Sequence, residues 1–118
     1  MSRRWAAAAA AAFLVQLMVL YWPRPQVPGG LTGLDLPVHL VVFGAVAYPA
    51  LRAGFPVPAV LLVLGGHAVV SEMLQHLLVP GRGGDPLDAL ADLAGIVAAV
   101  AIWRTERSFR ERADRRTS

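Results

Sequence analysis

The chain has 118 residues, is 56% hydrophobic and 16% charged, and carries a net charge of +3, with a mean hydropathy of +0.53. It is too apolar for an ordinary water-soluble domain. The absence of cysteine excludes a disulfide framework, a thiolate nucleophile and a Cys-based metal site. All 11 basic residues are Arg, and six fall between Arg104 and Arg116, so the positive excess belongs to a tail and no basic, aromatic face for nucleic acid accompanies it.

Four apolar segments follow in chain order. Residues 5–22 contain one polar side chain, Gln16, apart from their aromatic ends. A twin-arginine signal peptide is an alternative for this segment, given the "SRR" start. The run is long and ends in Leu-Tyr-Trp without a small-residue cleavage site, which favours a retained helix. Residues 36–52 contain His39 and no charge before Arg52. Residues 58–79 carry His67, then Ser71, Glu72, Gln75 and His76 in their last third. Residues 86–103 carry Asp88 and Asp92 near their start. A spanning helix needs about 20 residues, and these segments lack the charged face that a helix on a soluble core would show. The expected fold is all-α: a four-helix transmembrane bundle over residues 1–104, with short loops, followed by an Arg-rich cytoplasmic tail at 105–118.

Boundary signals agree with the segments. Gly54 stands where a helix C-terminus favours a left-handed residue, with Pro56 beyond it. "VPGRGGDP" closes the third helix at Pro80 and Gly81, then opens the fourth with Asp85 as cap and Pro86 in the first turn. Trp5, Tyr21, Trp22 and Trp103 occupy interfacial positions. Arg3, Arg4, Arg52 and the six tail arginines flank one side, against Arg24 and Arg82 on the other. Both termini are therefore expected in the cytoplasm. The lack of Lys, with abundant Ala, Gly and Pro, fits GC-rich coding and a bacterial cytoplasmic membrane.

This topology gathers the polar residues at the extracytoplasmic end. Asp35 and His39 are one turn apart at the outer start of helix two. Glu72 lies about 10 Å, and Asp92 about 7 Å, below the outer ends of helices three and four. Glu72 and Gln75 share a helix face, as do Asp88, Asp92 and Gly95. Gly95 and Ala99 form a small-residue strip for close helix approach. Two unpaired buried anions repel, so the deeper acid is expected to be protonated or hydrogen-bonded. Arg82 is expected beside one of the three acids, and His39 within reach of Glu72 or Asp92.

The stretch "SEMLQHLLVPGRGGDPLDALADLAG" resembles the VanZ-like membrane proteins. Their pattern has an acidic residue and a glutamine three apart, a Pro/Gly-Arg loop, then Asp, three residues, Asn, two residues and Gly. Glu72, Gln75, Arg82, Asp88, Asp92 and Gly95 hold those positions. The earlier family motif, Asp-Lys, two residues, His, corresponds to "DLPVH", with Asp35 and His39. The resemblance covers about residues 30–103. Leu36 stands where the family has lysine and Asp92 where it has asparagine, so the site is less positive than the pattern. The resemblance implies a polar cleft formed by Asp35, His39, Glu72, Gln75, Arg82, Asp88 and Asp92, and a loose link to teicoplanin resistance.

Each residue also has a plainer role. Asp85 and Asp35 fit helix caps, and Asp88 fits either a cap or the site. His39 fits a cross-helix hydrogen bond, His67 a packing position, and His76 the interface. His39, Glu72, His76 and Asp92 are ligand types for a metal, but no compact motif such as H-E-x-x-H is present, so neither metal nor cofactor is expected.

Three functions stay open. The first is binding of an amphiphile, a lipidated glycopeptide or an envelope lipid, with Arg82 at its head group and glycopeptide resistance as a consequence. The second is a membrane enzyme using carboxylate acid/base chemistry on a lipid head group, with attack by water because Ser71 is the only candidate nucleophile. The third is an assembly partner of another membrane protein. Membrane lipid is the expected surrounding partner.

Overall fold

The computed structural model describes residues 1–22, 32–79 and 86–118, with the backbone alone for 32–35. Four helices run in chain order: α1 (Arg3–Tyr21), α2 (Thr32–Ala53), α3 (Val57–Leu78) and α4 (Pro86–Thr117). All four are long and apolar enough to cross a membrane. The fold is all-α, as expected, and no strand occurs among the described residues.

Two helices outrun their apolar segments. α2 begins at Thr32 rather than Leu36, and α4 continues past Trp103 to Thr117. Hydropathy marks where lipid contact ends, whereas backbone pairing continues while side chains permit it. In the tail they do: Arg107 and Glu111 pair at 3.0 Å and Arg110 and Glu106 at 3.5 Å, both one turn apart.

The α2–α3 turn is a Schellman close. Gly54 has φ 111°. Its N–H donates to the Leu51 carbonyl at 3.2 Å, and the Phe55 N–H donates to the Ala50 carbonyl at 3.2 Å. Only glycine takes that φ without strain. Pro58 then falls in the first turn of α3, where a missing N–H costs nothing.

The helices alternate in direction. The Ser2 N–H donates to the Ala53 carbonyl at 3.0 Å, joining the start of α1 to the end of α2. Arg52 reaches Glu106 of α4 at 3.1 Å at that same end. At the opposite end, Gln75 of α3 reaches Leu20 of α1, and His39 of α2 reaches Asp92 of α4. Both chain termini therefore lie on one side of the bundle.

α2 is the central helix and packs against α4, α1 and α3. Phe43, Val46, Ala47 and Leu51 of α2 meet Leu20, Val60, Leu64, Ile96 and Ala99 in the core. α2 and α4 touch backbone to backbone. A methyl group at Gly95 would run into the Leu40 carbonyl, and one at Gly44 would stand 3.2 Å from the Gly95 carbonyl. The small-residue strip expected at Gly95 and Ala99 is thus the α2–α4 seam; both residues are buried. The outward faces are apolar: Leu62, Val63, Leu77, Leu78 and Val97 are exposed, as lipid-facing residues are.

Candidate functional site

The seam at Gly95 builds the site. Leu40 lies against Gly95, so His39, its neighbour on α2, comes level with Asp92, one turn before Gly95 on α4. His39 Nδ1 and Asp92 Oδ1 are 2.7 Å apart, with 2% and 0% of the two side chains exposed. With Asp92 ionised, the imidazole N–H is the donor of this hydrogen bond. His39 Nε2 faces Asp88 Oδ2 at 3.6 Å, and the Asp88 side chain is 16% exposed, the more open edge of the cluster. From α3, Glu72 brings a carboxylate oxygen into a group with His39 and Asp92 whose ligand-capable atoms all lie within 4.8 Å of one another. Asp92 Oδ2 is buried and has no hydrogen-bond partner among the described residues.

Of the seven cleft residues expected, the structure brings His39, Glu72, Asp88 and Asp92 together. Gln75 is buried, and its amide donates to the Leu20 carbonyl at 2.7 Å. That carbonyl is one of those left unpaired at the C-terminus of α1. Gln75 thereby ties α3 to α1. Arg82 and the Asp35 side chain lie outside the described residues, as does the expected cap at Asp85.

His76 is exposed, whereas His67, Ser71 and Gln16 pack between or along the helices. His67 Nε2 sits 3.4 Å from the Tyr21 hydroxyl, among the rings of Phe13 and Phe43. Ser71 is buried and donates to the Ala68 carbonyl of its own helix at 3.0 Å. Gln16, the lone polar side chain between Trp5 and Tyr21, is buried and donates to the Val42 carbonyl at 3.4 Å.

A second polar cluster, absent from the sequence reading, closes the opposite end. The Tyr48 hydroxyl donates to Glu106 at 2.8 Å, and Arg52 donates to Glu106 at 3.1 Å. The Arg52 guanidinium also lies 4.6 Å from the centre of the Trp5 ring. This cluster joins α1, α2 and α4. The one signal for it was the spacing of Glu106 to Arg110 and Arg107 to Glu111, which extends α4 far enough to deliver Glu106. An apolar groove lined by Phe13, Val46, Ala50, Val60 and Leu64 presents no polar lining and holds none of the chemistry of the His39 cluster.

No family model matches the chain, and neither a curated protein nor a solved structure is significantly similar to it. The VanZ-like resemblance rests on its motif residues alone.

Proposed function

We propose that the chain is a VanZ-like protein of the bacterial cytoplasmic membrane, both termini inside, that binds the head group of an envelope amphiphile at the His39 cluster. The supporting observation is the convergence of His39, Glu72, Asp88 and Asp92 from three helices that are each long and apolar enough to span a membrane. Ionisable groups at such depth are costly and mark function more often than packing. Three carboxyl groups around one imidazole select a ligand that brings positive charge, on the amphiphile itself or as a cation carried with it. A lipidated glycopeptide or an envelope lipid supplies the hydrocarbon that suits the exposed apolar faces. Native mass spectrometry of the protein in a gentle detergent tests this. An amphiphile should co-purify with wild type and be lost in Asp88→Asn. No bound amphiphile, with unchanged sensitivity to lipidated glycopeptides after gene deletion, would sink it.

The His39–Asp92 contact favours a second reading, an enzyme acting on a lipid head group. A carboxylate that orients an imidazole is the arrangement of a general base. Water is the nucleophile in this reading, because the Ser71 hydroxyl is buried against Ala68. Envelope lipids that are identical after expression of wild type and of Glu72→Gln would exclude it.

A further inference from the structure

We infer that the His39 cluster is a binding site for one divalent transition-metal ion, held by His39 Nδ1 and by carboxylate oxygens of Glu72 and Asp92. Sequence spacing gave no sign of it, because each ligand comes from a different helix. The fold supplies what spacing does not: one imidazole and two carboxylates whose ligand-capable atoms lie within 4.8 Å of one another. Two ligand atoms on a tetrahedral ion with bonds near 2.1 Å stand roughly 3.4 Å apart. The 2.7 Å His39–Asp92 contact and the 4.8 Å outer limit bracket that value. The ligand atoms thus stand within about 1.4 Å of the separations that a tetrahedral ion requires.

Two further observations point the same way. Asp92 is 0% exposed, yet its Oδ2 has no hydrogen-bond partner among the described residues. A buried carboxylate oxygen without a donor is costly in a protein-only site, and an ion at the cluster supplies the missing partner. The second concerns the imidazole. When Nδ1 binds the ion, the ring proton sits on Nε2, and Nε2 faces Asp88 Oδ2 at 3.6 Å. A ligating histidine usually donates its other N–H to a carboxylate, which fixes the tautomer. At 3.6 Å Asp88 stands just beyond hydrogen-bond distance and is placed to take that supporting position. No covalent step is involved: in a neutral imidazole the proton moves from Nδ1 to Nε2 as the ion takes the Nδ1 lone pair.

The donor set defines the ion's class. A nitrogen with two carboxylate oxygens suits zinc, manganese, iron or cobalt better than magnesium or calcium, which prefer all-oxygen shells. Three protein ligands leave a fourth position open. On the amphiphile-binding reading, that position takes an oxygen of the head group. Ion binding itself does not require that reading.

The test uses the full-length chain without a histidine tag, in detergent, stripped with chelator and titrated with Co²⁺ alone and then Zn²⁺ alone. One Co²⁺ per chain should bind, with visible absorption bands that Zn²⁺ abolishes. X-ray absorption should show one imidazole and carboxylate oxygens around the ion. Glu72→Gln and Asp92→Asn should abolish stoichiometric binding, and Asp88→Asn should weaken it by about 10- to 100-fold. His76→Ala, on the exposed side of α3, should bind as wild type does. Circular dichroism confirms that each variant is helical. No stoichiometric ion in wild type, a shell with two imidazoles, or binding undiminished in a folded Asp92→Asn would each overturn the inference. Co-purification of an amphiphile is scored separately, so the amphiphile reading can fail while the ion site stands, or the reverse.

Discussion

Asp92 is wholly buried, and His39 meets one of its oxygens at 2.7 Å. Removing the imidazole leaves that oxygen without its donor inside an apolar bundle. His39→Ala should therefore destabilise the fold by about 1–3 kcal/mol. Asp92→Asn should cost less, because its amide oxygen still accepts the imidazole N–H. Leucine at both positions should cost less than the two single Leu replacements together, since neither polar group is then stranded. Reversible unfolding in detergent micelles measures all of these, and strictly additive losses would show that the two residues are not coupled. The two residues were legible in the sequence for a simple reason. A lone ionisable group on an apolar helix turns inward, and four apolar helices offer few polar partners. Other partners were not legible. Gln75 was placed in the cleft by its motif, yet its amide nitrogen closes the end of α1 at Leu20, and a backbone carbonyl leaves no mark in a sequence. Glu106 read as a tail charge because hydropathy ends at Trp103, and Arg52 as a loop charge that sets topology. Their meeting follows from the added turn of α4.

At the scale of the helix, the number and order of elements could be read directly, because each apolar run is long enough to span. The rotation of each helix about its axis could not. From Ala6 to Ala12, α1 consists of one residue type, so no side chain marks its inward face until Gln16. Glycine is the better guide, because it records close approach. Gly95 is such a position: a methyl group there meets the Leu40 carbonyl. Gly95→Ala should force α2 and α4 apart and cost about 1–3 kcal/mol, the usual range for overpacking. It should also lengthen the His39–Asp92 contact, one turn away, and lower any ligand affinity of the cluster without altering a polar atom. Thermal unfolding with a parallel binding assay checks both effects, and a Gly95→Ala protein with wild-type stability and affinity would contradict the seam described above. Gln75→Leu gives the complementary case. It removes one interhelical hydrogen bond and should cost only about 0.6–2 kcal/mol, as such bonds do in membranes. It should leave the His39 cluster intact.

Across the whole molecule, charge and helix direction make one arrangement. The bundle end that holds Met1, Ala53 and Glu106 also carries Arg3, Arg4, Arg52 and the six arginines of the α4 extension. α4 has 32 residues, about 48 Å at 1.5 Å per residue, against a hydrocarbon layer of about 30 Å. Its last turns, with Arg110, Arg112, Arg115 and Arg116, must then stand clear of the apolar layer on that side. Arginine is retained on the cytoplasmic face during insertion, so this end should be cytoplasmic and the His39 cluster should face outward. The chain has no cysteine of its own, which makes the orientation directly measurable. Single replacements Ser2→Cys, Ser118→Cys and Gly83→Cys each place one thiol in an otherwise unreactive protein. In intact cells a membrane-impermeant thiol reagent should label the Gly83→Cys protein and spare the other two. After permeabilisation all three should react. Labelling of Ser2→Cys and Ser118→Cys in intact cells, with Gly83→Cys protected, would invert the topology. The His39 cluster would then face the cytoplasm, out of reach of any antibiotic approaching from outside.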